Sequence, residues 1–385
     1  MVALGIEELL THRRDLLRGR RVGLVSNYGV TDAAFRPVIR LLADSGEWEL
    51  AKLFGPEHGV RNCAKEGEKV GFSIDEATGI PAYSLYGDDK RPSLTMLEGL
   101  DVLVIDLPDI GCRYYTNMNT LAYCMEACAS SGIPCVVLDR PNPLGGIKRE
   151  GIILQPTFSS FVGMHPIPNR HGLTMGELAQ FINARLPQPC HLTIVPMSGW
   201  TRDMMHPDTG LPFVSSSPNT TDLAMAVLYP GTCLFEGTNV SVGRGTTHPF
   251  EWIGAPFMKA HSLADWLNSE GVPGVVARPV YFVPTYSTHT GEVCEGIALH
   301  ITDIRALDPV FLGVKLLQGV AAQSSGQFAI LGGEEKTMPF LDLLAGSDHL
   351  RRYLLEGHAM DYLEEAKGDL ERFNDEILPY ELYRS

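Results

Sequence analysis

LDVLVIDLPDIG, residues 100–111, decides the reading of the fold. Its first half is a continuous Leu/Val/Ile run, the signature of a strand buried on both faces rather than one. Its second half breaks into a loop carrying Asp106, Pro108, Asp109 and Gly111. The same pairing of apolar run and polar loop recurs on both sides of it. RVGLVSN (21–27) ends in a turn, WELAKLFGPEHG (48–59) ends in a loop, PAYSLYG (81–87) is a shorter candidate, and PCVVLDRPNPLGG (134–146) ends in a loop again. Helical patterns at AAFRPVIRLLADSG (33–46) and TNMNTLAYCMEACASSG (116–132) separate them. Buried runs alternating with helices predict a parallel sheet covered on both faces, a Rossmann-like α/β domain over residues 1–145.

In such a sheet ligands bind outside the carboxyl ends of the strands. The unusual polar residues sit at those ends: Ser26-Asn27, Glu57-His58, Asp106 to Arg113, and Asp139 to Asn142. They point to one crevice. No GxGxxG opens the first helix, and neither GRGTTH nor DRPNPLGG has a P-loop lysine, so no nucleotide cofactor is expected.

Beyond residue 145 the character changes. REGIILQPTFSSFVGMHPIPNRHG (149–172) is proline-rich and aperiodic, and Thr174 with Glu177 makes a capping box for the helix TMGELAQFINARL. HLTIVPMSGW (191–200) reads as a strand, and residues 207–257 are dense in Gly, Pro, Ser and Thr. Helices and strands then alternate to an acidic helical tail. This part is expected to form a second, α+β domain over 146–385.

At 385 residues two domains are the prior expectation. A net charge of −15 argues against nucleic acid or an anionic membrane as partner. The eight cysteines contain no CxxC pair, and His58, His171 and His248 have no metal-ligand spacing, so neither a disulfide framework nor a metal is expected. No run reaches the roughly 20 apolar residues of a membrane span. MVALGIEELLTHRRDLLRGRRVGLVSN reads as an amphipathic helix entering a strand, not a signal peptide. A cytoplasmic location is expected, with a periplasmic or secreted one left open, and oligomeric state is not legible.

Three glutamates are candidate acids. Glu57 sits in the stiff loop GPEHG beside His58, where confinement suits a general acid. Glu150 lies at the crossover between domains, and Glu236 precedes a Gly-rich loop in LFEGTNVSVGRG. Paired carboxylates are the machinery of glycoside hydrolysis. Asp106, Asp109 and Arg113 cluster with Tyr115, and Asp109 with Arg113 also fits a plain helix-capping ion pair. Arg61, Arg113, Arg140, Arg170 and Arg244 recur in Gly/Pro-rich loops, where a guanidinium fork suits a carboxylate. Ser215 to Ser217 lacks the GxSxG elbow of a serine hydrolase.

LFGPEHGVR, YSLYG, IDLPDIGCRYYT, VLDRPNPLGG, EGIIL, SFVGMHPIPNRHGLTMGELA and CLFEGTNVSVGRGTTHPFEWIGAPF follow one another in order. Together they closely resemble the exo-β-N-acetylmuramidase (NamZ-like) family over nearly the whole chain. The resemblance implies a Rossmann-like domain joined to a smaller C-terminal domain with the active-site cleft between them, and a glycoside hydrolase that releases N-acetylmuramic acid from the non-reducing end of peptidoglycan fragments; no cofactor is expected. Its catalytic glutamate falls on Glu57, and the acidic position of a second motif on Glu150, where this chain has Ile152 in place of a proline. The expected catalytic set is Glu57 with His58, and Glu150 or Glu236 as base, nucleophile or stabiliser; the substrate's own N-acetyl group is a third candidate nucleophile. The expected substrate contacts are Asn27, Arg61, Asp106, Asp109, Arg113, Tyr115, Asp139, Arg140, Asn142, His171, Asn239 and Arg244. Two other readings remain at this point: a non-catalytic sugar-binding protein, and a phosphosugar enzyme with an anion held after the first strand at Ser26-Asn27.

Overall fold

The computed structural model describes residues 2–64, 71–86, 90–333 and 337–384. Its first sheet has seven strands: β1 (Arg21–Val25), β2 (Glu49–Gly55), β3 (Ser73–Ile74), β4 (Pro81–Ser84), β5 (Val102–Ile105), β6 (Cys135–Leu138) and β7 (Leu192–Val195). Their order is β3-β4-β2-β1-β5-β6-β7, parallel throughout except for the antiparallel edge strand β3. Every residue of β5 and β6 is buried, as their unbroken apolar runs require. Val25 stands opposite both Phe54 and Ile105, so β1, β2 and β5 end level with one another. That register gathers the loops after four strands along one rim.

The helix after β5 runs Asn117–Ser131 and closes on Gly132, whose φ of 73° is the left-handed conformation of a helix C-terminus. The helix expected over 33–46 is shorter, Val38–Ala43. The Asp32 carboxylate accepts the amides of Ala34 and Arg36 at 3.0 and 2.8 Å, turning the chain locally, and Pro37 then sets the first helical turn.

The domain boundary expected at residue 145 falls too early. Residues 192–195, assigned by sequence to the second domain, form β7 and pair in parallel with β6. The helix Met175–Asn183, opened by the expected Thr174/Glu177 capping box, packs Leu178 and Phe181 into the core of the same sheet. The physical reason is chain length: the aperiodic stretch after Gly145 is a long crossover, and only its far end returns to the sheet.

The second lobe is built on an antiparallel sheet of β8 (Trp252–Ala255), β9 (Val275–Phe282) and β10 (Cys294–Ile301), ordered β8-β10-β9. Beside it the helices Leu223–Thr232 and Pro309–Gln323 pack so closely that a Cβ at Gly231 would lie 1.9 Å from the Pro309 carbonyl oxygen. The C-terminal helix, Asp361–Ile377, crosses back and inserts Phe373 and Ile377 into the first lobe's core. None of the described helices is long and apolar enough to cross a membrane.

Candidate active site

The loop after β2 is held by its glycines. A Cβ at Gly55 would meet the Val60 amide nitrogen at 2.4 Å, so the chain doubles back in a space only glycine allows. The Gly59 amide donates to the Pro56 carbonyl at 2.9 Å, and His58 adopts a φ of 72°, unusual for a residue with a side chain. The His58 Nδ1 lies 2.7 Å from the Ala64 carbonyl oxygen, which can only accept, so Nδ1 carries the proton. Glu57 is thereby presented, half-buried, at the rim, and its Oε2 accepts the Thr116 hydroxyl at 2.8 Å.

Glu57 and His58 line a pocket of about 530 Å³ between the lobes. Tyr115, Thr116 and Asn117 from the loop after β5 complete one side, and Tyr229, Arg244 and Phe250 from the second lobe the other. Ser216, Ser217, Asn219 and Thr220, from the chain joining the lobes, close it. The Tyr115 hydroxyl is 2.6 Å from the Ser216 hydroxyl, Ser217 is 2.7 Å from Thr220, and Tyr286 donates to the Asn219 side-chain carbonyl at 2.8 Å. The Arg244 guanidinium lies 4.9 Å over the Phe250 ring, whose centroid is 4.7 Å from that of Tyr229. Apolar ring faces beside hydroxyls and amides suit a sugar, which offers C–H faces and hydroxyl edges.

Of the expected site residues, Glu57, His58, Tyr115 and Arg244 meet in this pocket. Glu236 stands behind it, its Oε1 2.5 Å from Arg244 Nε, so it orients the guanidinium rather than lining the cavity. Glu150 is elsewhere: one oxygen takes Arg170 Nη1 at 2.6 Å and the other the Val310 amide at 3.0 Å, which caps the helix Pro309–Gln323. Burial pushes its pKa up, and the Arg170 charge opposes that. Glu150 is a joint between lobes.

Arg113 is the largest departure. It is fully buried and donates to the carbonyls of Ile152, Ile167, Leu344 and Ala345 at 2.7–2.9 Å, tying the crossover to the second lobe. It pairs with neither Asp109 nor a pocket ligand site. Asp139 is likewise internal, accepting from the Arg140 and Gly176 amides and from the Thr174 and Tyr383 hydroxyls. Asn142 bridges Leu173 and Leu144, and Asn239 bridges Gln327 and Ala329. Arg61 pairs with Glu76 on the surface at 2.8 Å. Asp106 binds Arg140, which also donates to the Thr31 carbonyl at 2.9 Å. His171 Nδ1 accepts the Leu173 amide at 3.1 Å, which leaves its Nε2 to face Asp109 Oδ2 at 3.0 Å.

Asn27 lies under the loop: its side chain accepts the Gly29 amide at 2.9 Å. The neighbouring amides are engaged as well, Ser26 on the Phe54 carbonyl and Tyr28 on that of Val60. No cradle of open amides follows β1 among the described residues, and the phosphosugar reading loses its anion site. The residues that sequence reading missed are Thr116, Asn117 and the run SSSPNTT (215–221). The absent GxSxG elbow speaks only to Ser215 to Ser217 as a nucleophile; six small polar residues around Pro218, between apolar stretches, are the signal for a hydroxyl-rich binding edge.

Comparison with known proteins agrees with this architecture. The family description "Exo-beta-N-acetylmuramidase NamZ, N-terminal" matches residues 22–224, and its C-terminal counterpart matches residues 227–383. The chain is 42% identical, over 99% of its length and 91% of the relative's, to the peptidoglycan beta-N-acetylmuramidase NamZ of Bacillus subtilis (strain 168). Two crystal structures of DUF1343 family proteins from Bacteroides fragilis NCTC 9343 share the fold. One is 34% identical with a TM-score of 0.90, the other 30% identical with a TM-score of 0.80, and each covers all of this chain and 99% of its own. The break between the two family segments, at residues 224 to 227, falls just past the hydroxyl-rich run. The chain belongs to the exo-β-N-acetylmuramidase NamZ family.

Proposed function

We propose that this protein is a glycosidase that removes β-linked N-acetylmuramic acid from the non-reducing end of peptidoglycan fragments, with Glu57 as the acid. The observation that carries this is the placement of the Glu57 carboxyl on a glycine-locked loop, inside the pocket between the lobes, in a chain of this family. Glu57 protonates the departing glycosidic oxygen, and Thr116 fixes the carboxyl from one side. His58, anchored by Nδ1 on the loop backbone, offers Nε2 to the pocket as an acceptor. Arg244 supplies the positive charge that a lactyl carboxylate requires, which accounts for a cation in a pocket of a protein with net charge −15.

Glu57 is the single carboxylate among the described residues lining this pocket, with Glu236 behind Arg244 and Glu150 outside it. That favours the route in which the substrate's acetamido oxygen attacks C1 as Glu57 gives up its proton. Water then opens the resulting oxazoline, with Glu57 taking a proton back, and the β configuration is retained. A cytoplasmic site of action on imported fragments fits the eight cysteines, all of which are free thiols.

The test is hydrolysis of para-nitrophenyl β-N-acetylmuraminide and of the disaccharide MurNAc-GlcNAc by the wild type and Glu57→Gln. Loss of about 10²- to 10⁴-fold on the disaccharide is expected for removal of a general acid. Binding of N-acetylmuramic acid without any turnover by the wild type would instead make the protein a sugar carrier.

A further inference from the structure

A second cavity, of about 640 Å³, opens beyond the ends of β1, β5 and β6. It adjoins the Glu57 pocket, because Ser216 lines both. Its walls are apolar, chiefly Val30, Ile110, Pro141, Pro143, Leu211 and Phe213. Its charged lining residues mostly cancel: Arg140 is held by Asp106, and Asp32 by Arg36 at 2.6 Å.

Asp109 is different. Its side chain is only 3% exposed, and its Oδ2 accepts the Gly111 amide at 2.6 Å and faces His171. Its Oδ1 is buried with no hydrogen-bond partner among the described residues, and the same holds for His206 Nε2. The His206 ring packs edge-on against Phe213, centroids 5.3 Å apart. A buried carboxylate oxygen without a donor is costly, so a ligand that brings one gains more here than in water. The same carboxylate repels an anion. A muramic acid ring, with its lactyl carboxylate, is therefore disfavoured in this cavity.

We propose that the second cavity is the leaving-group site and holds a neutral N-acetylhexosamine ring, with Asp109 Oδ1 accepting from a hydroxyl or the acetamido N–H. The face of Phe213 and the prolines take the C–H face of the ring and the acetyl methyl. This rests on the glycosidase reading. The two adjoining chambers then hold the two sugars on either side of the bond that Glu57 protonates, and the Asp109 carboxylate disfavours the anionic sugar in the second.

The experiment compares MurNAc-GlcNAc with a β-N-acetylmuraminyl fluoride, whose one-atom leaving group does not reach the second cavity, in the wild type, Phe213→Ala and Asp109→Asn. The ratio of kcat/KM for disaccharide over fluoride is expected to fall at least about tenfold in both variants, the scale of one lost charged hydrogen bond or ring contact. An unchanged ratio, whether both rates hold or both collapse together, overturns the assignment. Binding of methyl β-N-acetylglucosaminide by ligand-observed NMR separates this claim from the activity. If the wild type turned over neither substrate, the glycosidase reading would fall, yet binding lost in Phe213→Ala would still support the neutral-sugar site. Absence of binding in the wild type would overturn it.

Discussion

The Thr116 hydroxyl donates to a Glu57 carboxylate oxygen across 2.8 Å, joining the loop after β2 to the residue that precedes the helix following β5. The two residues come from different strand ends, so the bond reports on the register of the sheet as well as on the acid. Thr116→Val keeps the shape of the side chain and removes the donor. A hydrogen bond to a charged group contributes about 1.5 kcal/mol, so kcat is expected to drop about tenfold. KM is expected to stay within about twofold, since an acid that is misaligned in the transition state leaves ground-state binding alone. Steady-state kinetics on MurNAc-GlcNAc check the split; a rise in KM with kcat intact would make Thr116 a substrate contact instead.

Gly55 shows how the loop's stiffness serves the acid. An alanine there places its Cβ 2.4 Å from the Val60 amide nitrogen and within 3 Å of Gly59, backbone that cannot rotate away. The loop must open, and Glu57 moves with it. Gly55→Ala is expected to lose at least about a hundredfold in kcat/KM, the scale of a misplacement by about 1 Å. Circular dichroism should remain that of the folded protein, because β2 is anchored along its length by β1 and β4. Activity within tenfold of the wild type would mean that the turn is not what positions Glu57.

Much of the first lobe was legible because its cause is local. Short, valine-rich apolar runs such as VLVI and CVVL, each broken off by a polar loop, read as strands buried on both faces, and the loops that follow them lie along one rim. β7 was assigned to the wrong domain for a reason no window of sequence contains: LTIV has the composition of any short strand, and only pairing with Cys135 to Leu138 gives it a sheet. The site divided along a similar line. Glu57, His58, Tyr115 and Arg244 line the pocket between the lobes, while Arg113, Asp139 and Asn142 bind protein groups away from it. Charged and amide side chains at strand ends look alike in sequence whether they face the cleft or turn inward to carbonyls. The hydroxyls of Ser216 and Thr220 carry no charge to draw attention, and they contribute only where the lobes meet.

Arg113 gives that distinction a measurable form. Its guanidinium holds four carbonyls from three separated segments, and burial pushes its pKa down. Arg113→Met fills a similar volume but leaves those oxygens without its donors. Removing one member of a buried ionic hydrogen-bond network costs about 3–5 kcal/mol, and that loss is expected in urea unfolding at pH 7. At temperatures where the variant remains folded, KM is expected to hold, because Arg113 does not line the Glu57 pocket. A KM raised more than tenfold, with stability preserved, would restore Arg113 to the substrate.

Asp139 supplies a pH dependence whose sign follows from its surroundings. The carboxyl is buried beneath the rim, and burial raises its pKa from 3.8 to about 6, against four donors that favour the charged form. In the folded state it therefore holds its proton more tightly than in the unfolded chain. The stability this confers is fully present below pH 3.8 and is lost as pH rises through about 6. The difference amounts to about 2 kcal/mol between pH 4 and pH 8, because the unfolded carboxyl is already partly ionised at pH 4. Other groups titrate across the same range, among them His165, whose pKa burial lowers to about 4 and whose effect runs the opposite way. The comparison is accordingly made against Asp139→Asn, which does not titrate. Its carbonyl oxygen can still accept the Arg140 and Gly176 amides, and its NH2 can donate to the hydroxyl oxygens of Thr174 and Tyr383. Relative to this variant, the wild type is expected to lose about 2 kcal/mol in urea unfolding between pH 4 and pH 8. A difference that stayed flat, or grew in favour of the wild type as pH rose, would mean that the four donors outweigh burial and that Asp139 is ionised throughout.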